Sequence, residues 1–216
     1  MHSKLDIYYD KETLQKASKE LLMFGLEVVK RAKCIKDLEQ FNRLFEEVEA
    51  GRISPVDPRF TEYHFEWLID TIRIGVFFEA YFKAMLILNG HCVHEVQIEK
   101  GNAEHQKLKK TLAKKPVPLT EVHKYSPFIV DNEMKTVKCA VLKPEFTIGL
   151  ATLLKEDYLK FYQIDKGLTS FVKNIKSERN RLHFFDGIER TVSEELLSKL
   201  WMVNGFIEDV INKMNR

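Results

Sequence analysis

Between Ser177 and Phe185 the chain reads Ser-Glu-Arg-Asn-Arg-Leu-His-Phe-Phe. On a helix, Arg179 and His183 stand four residues apart and share a face, with Asn180 three residues before the histidine. A guanidinium can grip a phosphate with two parallel hydrogen bonds. An imidazole exchanges protons near neutral pH, and an asparagine amide can orient either group. Together these residue types suit binding or cleavage of a phosphodiester without a metal. The structural alternative makes His183 a core histidine near a helix end, with the arginines in solvent. Lys173, Lys176 and Arg181 extend the same basic run, which only Glu178 interrupts. They are the candidate contacts to RNA phosphates.

Three other groups invite chemistry. His91-Cys92-Val93-His94, with His105 further on, suggests zinc. A structural zinc site needs four ligands in a recognised spacing, and this is not one, so no metal and no cofactor are expected. From Gly101 to Lys124, six lysines (Lys107, Lys109, Lys110, Lys114, Lys115, Lys124) oppose Glu104 and Glu121, a local charge of +4. The run can meet RNA phosphates but carries no interleaved aromatics for base stacking, and a solvated helix face is the default. Glu79 and Lys83 form an i,i+4 pair in the favourable order on an apolar helix. Their expected role is to support the core, or the site across the bundle. Nothing in the chain matches a P-loop, a dinucleotide fingerprint, a nucleophile elbow or a kinase signature.

The elements that must position these residues are mostly helical. The chain has 216 residues with 34 basic against 32 acidic, 44% hydrophobic, nine Gly and six Pro. That is too balanced for a nucleic-acid coat protein, too apolar for a disordered chain, and too poor in turn residues for an all-β protein. Leu14, Ala17, Leu21, Phe24, Val28, Ala32, Ile35, Leu38, Phe41, Phe45 and Val48 step by three or four. They predict a long helix from about Lys11 to Ala50, or a hairpin broken near Gly25 or Lys33–Lys36, with Gly51 as stop. The stripe buries Phe24, Phe41 and Phe45 if it packs in a bundle. A second helix, about Thr61 to Leu88, is apolar over much of its circumference and belongs in the middle of a bundle.

A short basic helix follows, ending before Pro116. A small β-hairpin insertion spans about residues 128–148, with Phe146–Ile148 as a third strand and Pro144 ending the hairpin proper. Helices from about Leu150 to Phe161 and from Leu168 to Phe185 come next. A last one, capped by Ser193, runs to Met214. The expected fold is mainly α, an up-and-down bundle in a single domain. Residues 1–60 form its N-terminal extension and 61–216 its body.

In this order of parts the chain resembles the HEPN superfamily: Glu79-x-x-x-Lys83 on an early apolar helix, a polar insertion, then Arg179-Asn180-x-x-His183-Phe184 near the C-terminus. Phe146–Leu154 resembles an insertion found in some members. The resemblance covers roughly Thr61 to Arg216. Arg179 and His183 enclose three residues, where the usual signature encloses four to six. What the resemblance implies is a helical bundle acting on RNA, in many members a metal-independent endoribonuclease of toxin–antitoxin, abortive-infection or CRISPR-linked defence. It also implies a homodimer with facing motifs and an antitoxin or other protein partner. By the same resemblance His183 is the acid or base, Arg179 stabilises the charged transition state and Asn180 positions the scissile phosphate. The alternative is a non-catalytic interaction or dimerisation module with a degenerate RNA site. A ligand-binding bundle ranks third.

Compartment follows from the same residues. Cys34, Cys92 and Cys139 are odd in number and show no C-x-x-C pair, which fits a reducing cytoplasm. The first ten residues lack an apolar core, so no signal peptide is expected. Arg73, Glu79 and Lys83 interrupt the most apolar stretch, which argues against a membrane span.

Overall fold

A computed structural model describes residues 5–33, 37–54, 56–96, 103–124, 129–139, 142–162, 164–182 and 194–214. Aspartates start four of the helices. Asp10 Oδ1 accepts from Thr13 N at 2.9 Å before α1 (Lys11–Val29), and Asp37 Oδ1 from Gln40 N at 3.3 Å before α2 (Leu38–Glu49). Asp57 Oδ1 accepts from Arg59 N at 2.9 Å before α3 (Pro58–Leu88), and Asp165 Oδ1 from Leu168 N at 2.7 Å before α7 (Lys166–Leu182). Each carboxylate satisfies an orphan amide and sits at the positive end of the helix dipole. Pro58 opens α3 because the first helical position needs no N–H donor.

Glycines stop α2 and α3. Gly51 and Gly90 have φ of +67° and +68°. Paired bonds close both ends: Gly51 N to Val48 O with Arg52 N to Glu47 O, and Gly90 N to Ile87 O with His91 N to Leu86 O. This is the Schellman pattern, which favours glycine at the left-handed position.

The chain is mainly α-helical, with eight α-helices among the described residues and short strands between them. Its residues gather into two compact units interleaved in sequence: residues 1–23 with 79–163, and residues 24–78 with 164–216. The first sixty residues are thereby shared between the two units.

The first unit mixes helix and strand. β1 (Leu5–Tyr8) and β3 (Ile129–Asp131) flank β4 (Thr136–Cys139) in an antiparallel sheet, ordered β1-β4-β3. The hairpin β3–β4 falls inside the predicted insertion, and Lys135 takes a positive φ of 50° at its turn. β5 (Leu142–Thr147) does not extend that hairpin. It pairs with β2 (His94–Val96) across an irregular register in which His94 faces Thr147 and Val96 faces Leu142. Pro144 lies inside β5 rather than ending the hairpin, a position open to it in a two-stranded sheet where every strand is an edge.

Within this unit Cys92, Leu108, Leu112, Val117, Leu119 and Val122 form a core joined by Ile7, Tyr9 and Leu14. α4 (Ala103–Leu112) supplies two of these residues and a 3-10 turn, Leu119–Lys124, supplies two more. The helix expected from Leu150 to Phe161 is two, α5 (Leu150–Leu153) and α6 (Glu156–Tyr162).

The second unit contains only helices and turns among its described residues. The long N-terminal stripe is interrupted after Val29, within reach of the predicted break, so α1 and α2 are separate helices. Phe77 and Phe78 of α3 meet Phe206 of α8 (Glu194–Met214) at ring-centroid distances of 6.4 and 5.8 Å. α8 buries Leu200, Val203, Ile207 and Val210, at steps of three and four.

Two expectations are corrected here. Phe24 is 57% exposed; the face of α1 that is buried runs through Ser18, Leu26 and Val29 instead. α3 is not buried all round: Phe65, Ile69 and Ile72 are 64%, 39% and 44% exposed, while Trp67, Asp70, Thr71, Ile74, Phe77 and Phe78 on the other side are fully buried.

Candidate functional site

Helix α7 carries Arg179 and Asn180, two of the three residues singled out for phosphodiester chemistry. Asp165 fixes its start, and Leu168, Phe171, Val172 and Ile175 form its buried stripe. A Cβ at Gly167 would lie 2.8 Å from Met202 Cε, the flexible tip of an α8 side chain.

Opposite the buried stripe, Lys173, Asn174 and Ser177 are exposed and Lys176 is half-buried. Counted at about 100° per residue, position 180 lies in line with Lys173, Lys176 and Ser177, and position 181 in line with Asn174 and Ser177. Position 179 lies in line with the buried Val172 and Ile175. The helix thus places Lys173, Lys176 and the backbone position of Asn180 on one side, position 181 beside Asn174 and Ser177, and position 179 about a quarter-turn from the lysines toward the buried residues. The side chains of Arg179, Asn180 and Arg181, and His183 altogether, lie outside the described residues, as does Ser193.

Glu79 and Lys83 belong to the other unit, at the end of α3. Lys83 is 8% exposed, and its ammonium donates to Glu79 Oε1 at 2.6 Å and to Thr147 Oγ1 at 2.7 Å. A buried ammonium needs a counter-charge and further acceptors; here both are supplied, and β5 is tied to α3 as a result. Thr147 is the partner that sequence reading missed, because a contact 64 residues away leaves no periodic signal.

The histidines of the His91–His94 stretch are placed by packing. His91 bridges to Pro118 as an isolated β-bridge, and its ring stands 4.7 Å from Phe161 in an edge-on arrangement. Burial pushes the His91 pKa below its ordinary value, against smaller opposing effects of the Asn89 backbone and the Glu121 charge. Cys92 is buried in the core, and its thiol donates to His94 O at 3.8 Å. Among the described residues no three His, Cys, Asp or Glu side chains gather as a metal site. Deeper in this unit, Tyr158 donates its hydroxyl to Leu112 O at 2.7 Å, and Tyr162 stacks on Phe82 at 4.3 Å. Burial raises both phenol pKa values.

No family model, characterised protein or solved structure matches this chain. Its own geometry therefore carries the functional argument. The described site consists of one helix with a basic, solvent-facing side and a buried apolar side. No described helix is long and apolar enough to cross a membrane. The exposed side of α7 can hold anionic groups through its lysines.

Proposed function

We propose that this chain acts on RNA as a HEPN-like helical protein, with α7 presenting the scissile phosphate to His183. The observation that supports this best is the register of α7. Exposed Lys173 and half-buried Lys176 share one side of the helix with position 180. Clustered cations of this kind concentrate RNA phosphates along the helix.

In the proposed reaction His183 takes the proton of a ribose 2′-hydroxyl. The 2′-oxygen attacks the adjacent phosphorus to form a 2′,3′-cyclic phosphate, and the 5′-oxygen leaves as a hydroxyl after accepting a proton. Arg179 stabilises the extra negative charge of the transition state, and Asn180 orients the phosphate. The test is incubation of purified protein with mixed RNA in EDTA. Cleavage by wild type that is lost in His183→Ala and in Arg179→Ala is the expected result. No cleavage, or equal cleavage by His183→Ala, rejects the catalytic reading.

A second reading, a helical module that pairs with another copy of itself, is favoured by α3. Its Phe65, Ile69 and Ile72 stand at i, i+4 and i+7 on one exposed face while the opposite face is already filled. Light scattering checks it: wild type is expected to be dimeric and Phe65→Glu/Ile69→Glu monomeric. A wild type that stays monomeric at high concentration excludes it.

A further inference from the structure

The lysines of α4 are arranged by the fold in a way the sequence run alone does not reveal. Leu108 and Leu112 face the core, and two bonds at the helix end hold it in place: Tyr158 Oη donates to Leu112 O at 2.7 Å, and Lys155 Nζ donates to Ala113 O. The outward side carries Lys107, Lys110, Lys114 and Lys115, which with Gln106 and Thr111 line an open groove of about 540 Å³ bounded by Asp157 of α6. Position 103 and the lysines at 107 and 110 follow steps of four and three along the helix, about 10 Å at 1.5 Å per residue, and Lys114 and Lys115 follow in the turn after it.

These lysines differ from Lys30, Lys33, Lys83, Lys124 and Lys160, each of which is engaged by a carboxylate. None of the four groove lysines makes an ion pair with a described residue, and all four are exposed. Asp157, the carboxylate at the groove's edge, faces Lys160 at 3.3 Å. Like charges held on one rigid face repel, and a bound polyanion relieves that repulsion while releasing its own counterions.

We infer that this groove holds the sugar-phosphate backbone of single-stranded RNA, at a site separate from α7; the choice of RNA rests on the function proposed above. The groove is open, which suits a chain of phosphates lying along the surface better than one enclosed phosphate group. Lysines are flexible point charges that follow a backbone rather than read it. Among the described residues no aromatic lines the groove, so the contact they offer is independent of sequence.

The experiment is a titration of unstructured RNA at several salt concentrations with wild type, with the quadruple variant Lys107→Gln/Lys110→Gln/Lys114→Gln/Lys115→Gln, and with Lys173→Gln/Lys176→Gln. The groove variant is expected to weaken binding by about tenfold or more, and to reduce the slope of log K against log salt by about 2 to 3, since each phosphate contact on a single strand contributes about 0.7. Replacement of the same four lysines by arginine is expected to keep the slope. Wild-type binding by the groove variant overturns the inference while leaving the α7 reading standing. Binding lost in the groove variant but intact in the α7 variant supports the groove and counts against α7. A wild type that binds no RNA at low salt overturns both. Circular dichroism of each variant confirms that only exposed charges were changed.

Discussion

The Lys83 ammonium joins a carboxylate on its own helix to a hydroxyl on a strand 64 residues further along. Truncating it removes the shared donor from a largely buried site. Lys83→Ala is expected to lower stability by about 3 kcal/mol, and Thr147→Val by about 1 kcal/mol, both read from urea denaturation. Equal and negligible losses would show that the pair is solvated.

His91 gives a pH dependence of definite sign. Burial holds its pKa below the ordinary 6.5, so the native state favours the neutral ring. As pH falls, the unfolded chain takes up the proton first, and stability is lost on acidification through 6.5 while it is fully present above. Replacement by Phe is expected to flatten the decline in stability between about pH 7.5 and 5.5. An unchanged slope would assign the decline to other groups.

At the level of elements, glycines at helix ends make the clearest test. Gly90→Ala forces a Cβ into a left-handed conformation, and the resulting loss is expected to be about 1 kcal/mol. The space is ample, with Leu14 Cδ1 at 3.7 Å as the nearest atom, so the loss would be backbone strain and not a clash. Gly51→Ala, with nothing within 4 Å, is expected to behave alike in thermal melts. A neutral Gly51→Ala would mean that α2 refolds its end.

These stops were legible in the sequence because they are local, as were the helical character of α3, α4 and α8 and the hairpin β3–β4. The strands β1 and β2 were not. Four and three residues long, they are defined by partners more than forty residues away. Periodicity also misjudged which side is buried. Phe24 fits the apolar stripe of α1, yet the buried side is the one bearing Ser18, Leu26 and Val29, where the Ser18 hydroxyl donates to Ala84 O at 2.9 Å. On α3, apolar residues on both sides read as full burial, whereas one side is exposed. For the candidate site, the sequence showed the residue types. It did not show that one residue of offset sets Arg179 in line with Val172 and Ile175 while Asn180 continues the line of Lys173.

On the scale of the whole molecule, the chain path matters most. The boundaries between its two compact units, at residues 23–24 and 78–79, fall inside α1 and α3. Helix formation propagates along a continuous run of backbone hydrogen bonds, so melting one part of α3 frays the rest. Calorimetry is therefore expected to give one unfolding transition, with the calorimetric and van't Hoff enthalpies equal. Two resolved transitions would show that each unit melts alone.

The same path limits how the protein can be cut down. Neither unit is a contiguous stretch of the gene, because each is assembled from an early segment and a late one. A fragment that begins at residue 61 discards strand β1 and the start of α1 from one unit, and α2 from the other. A minimal version of either unit would need cuts inside α1 and α3 and a designed linker joining its two remote segments.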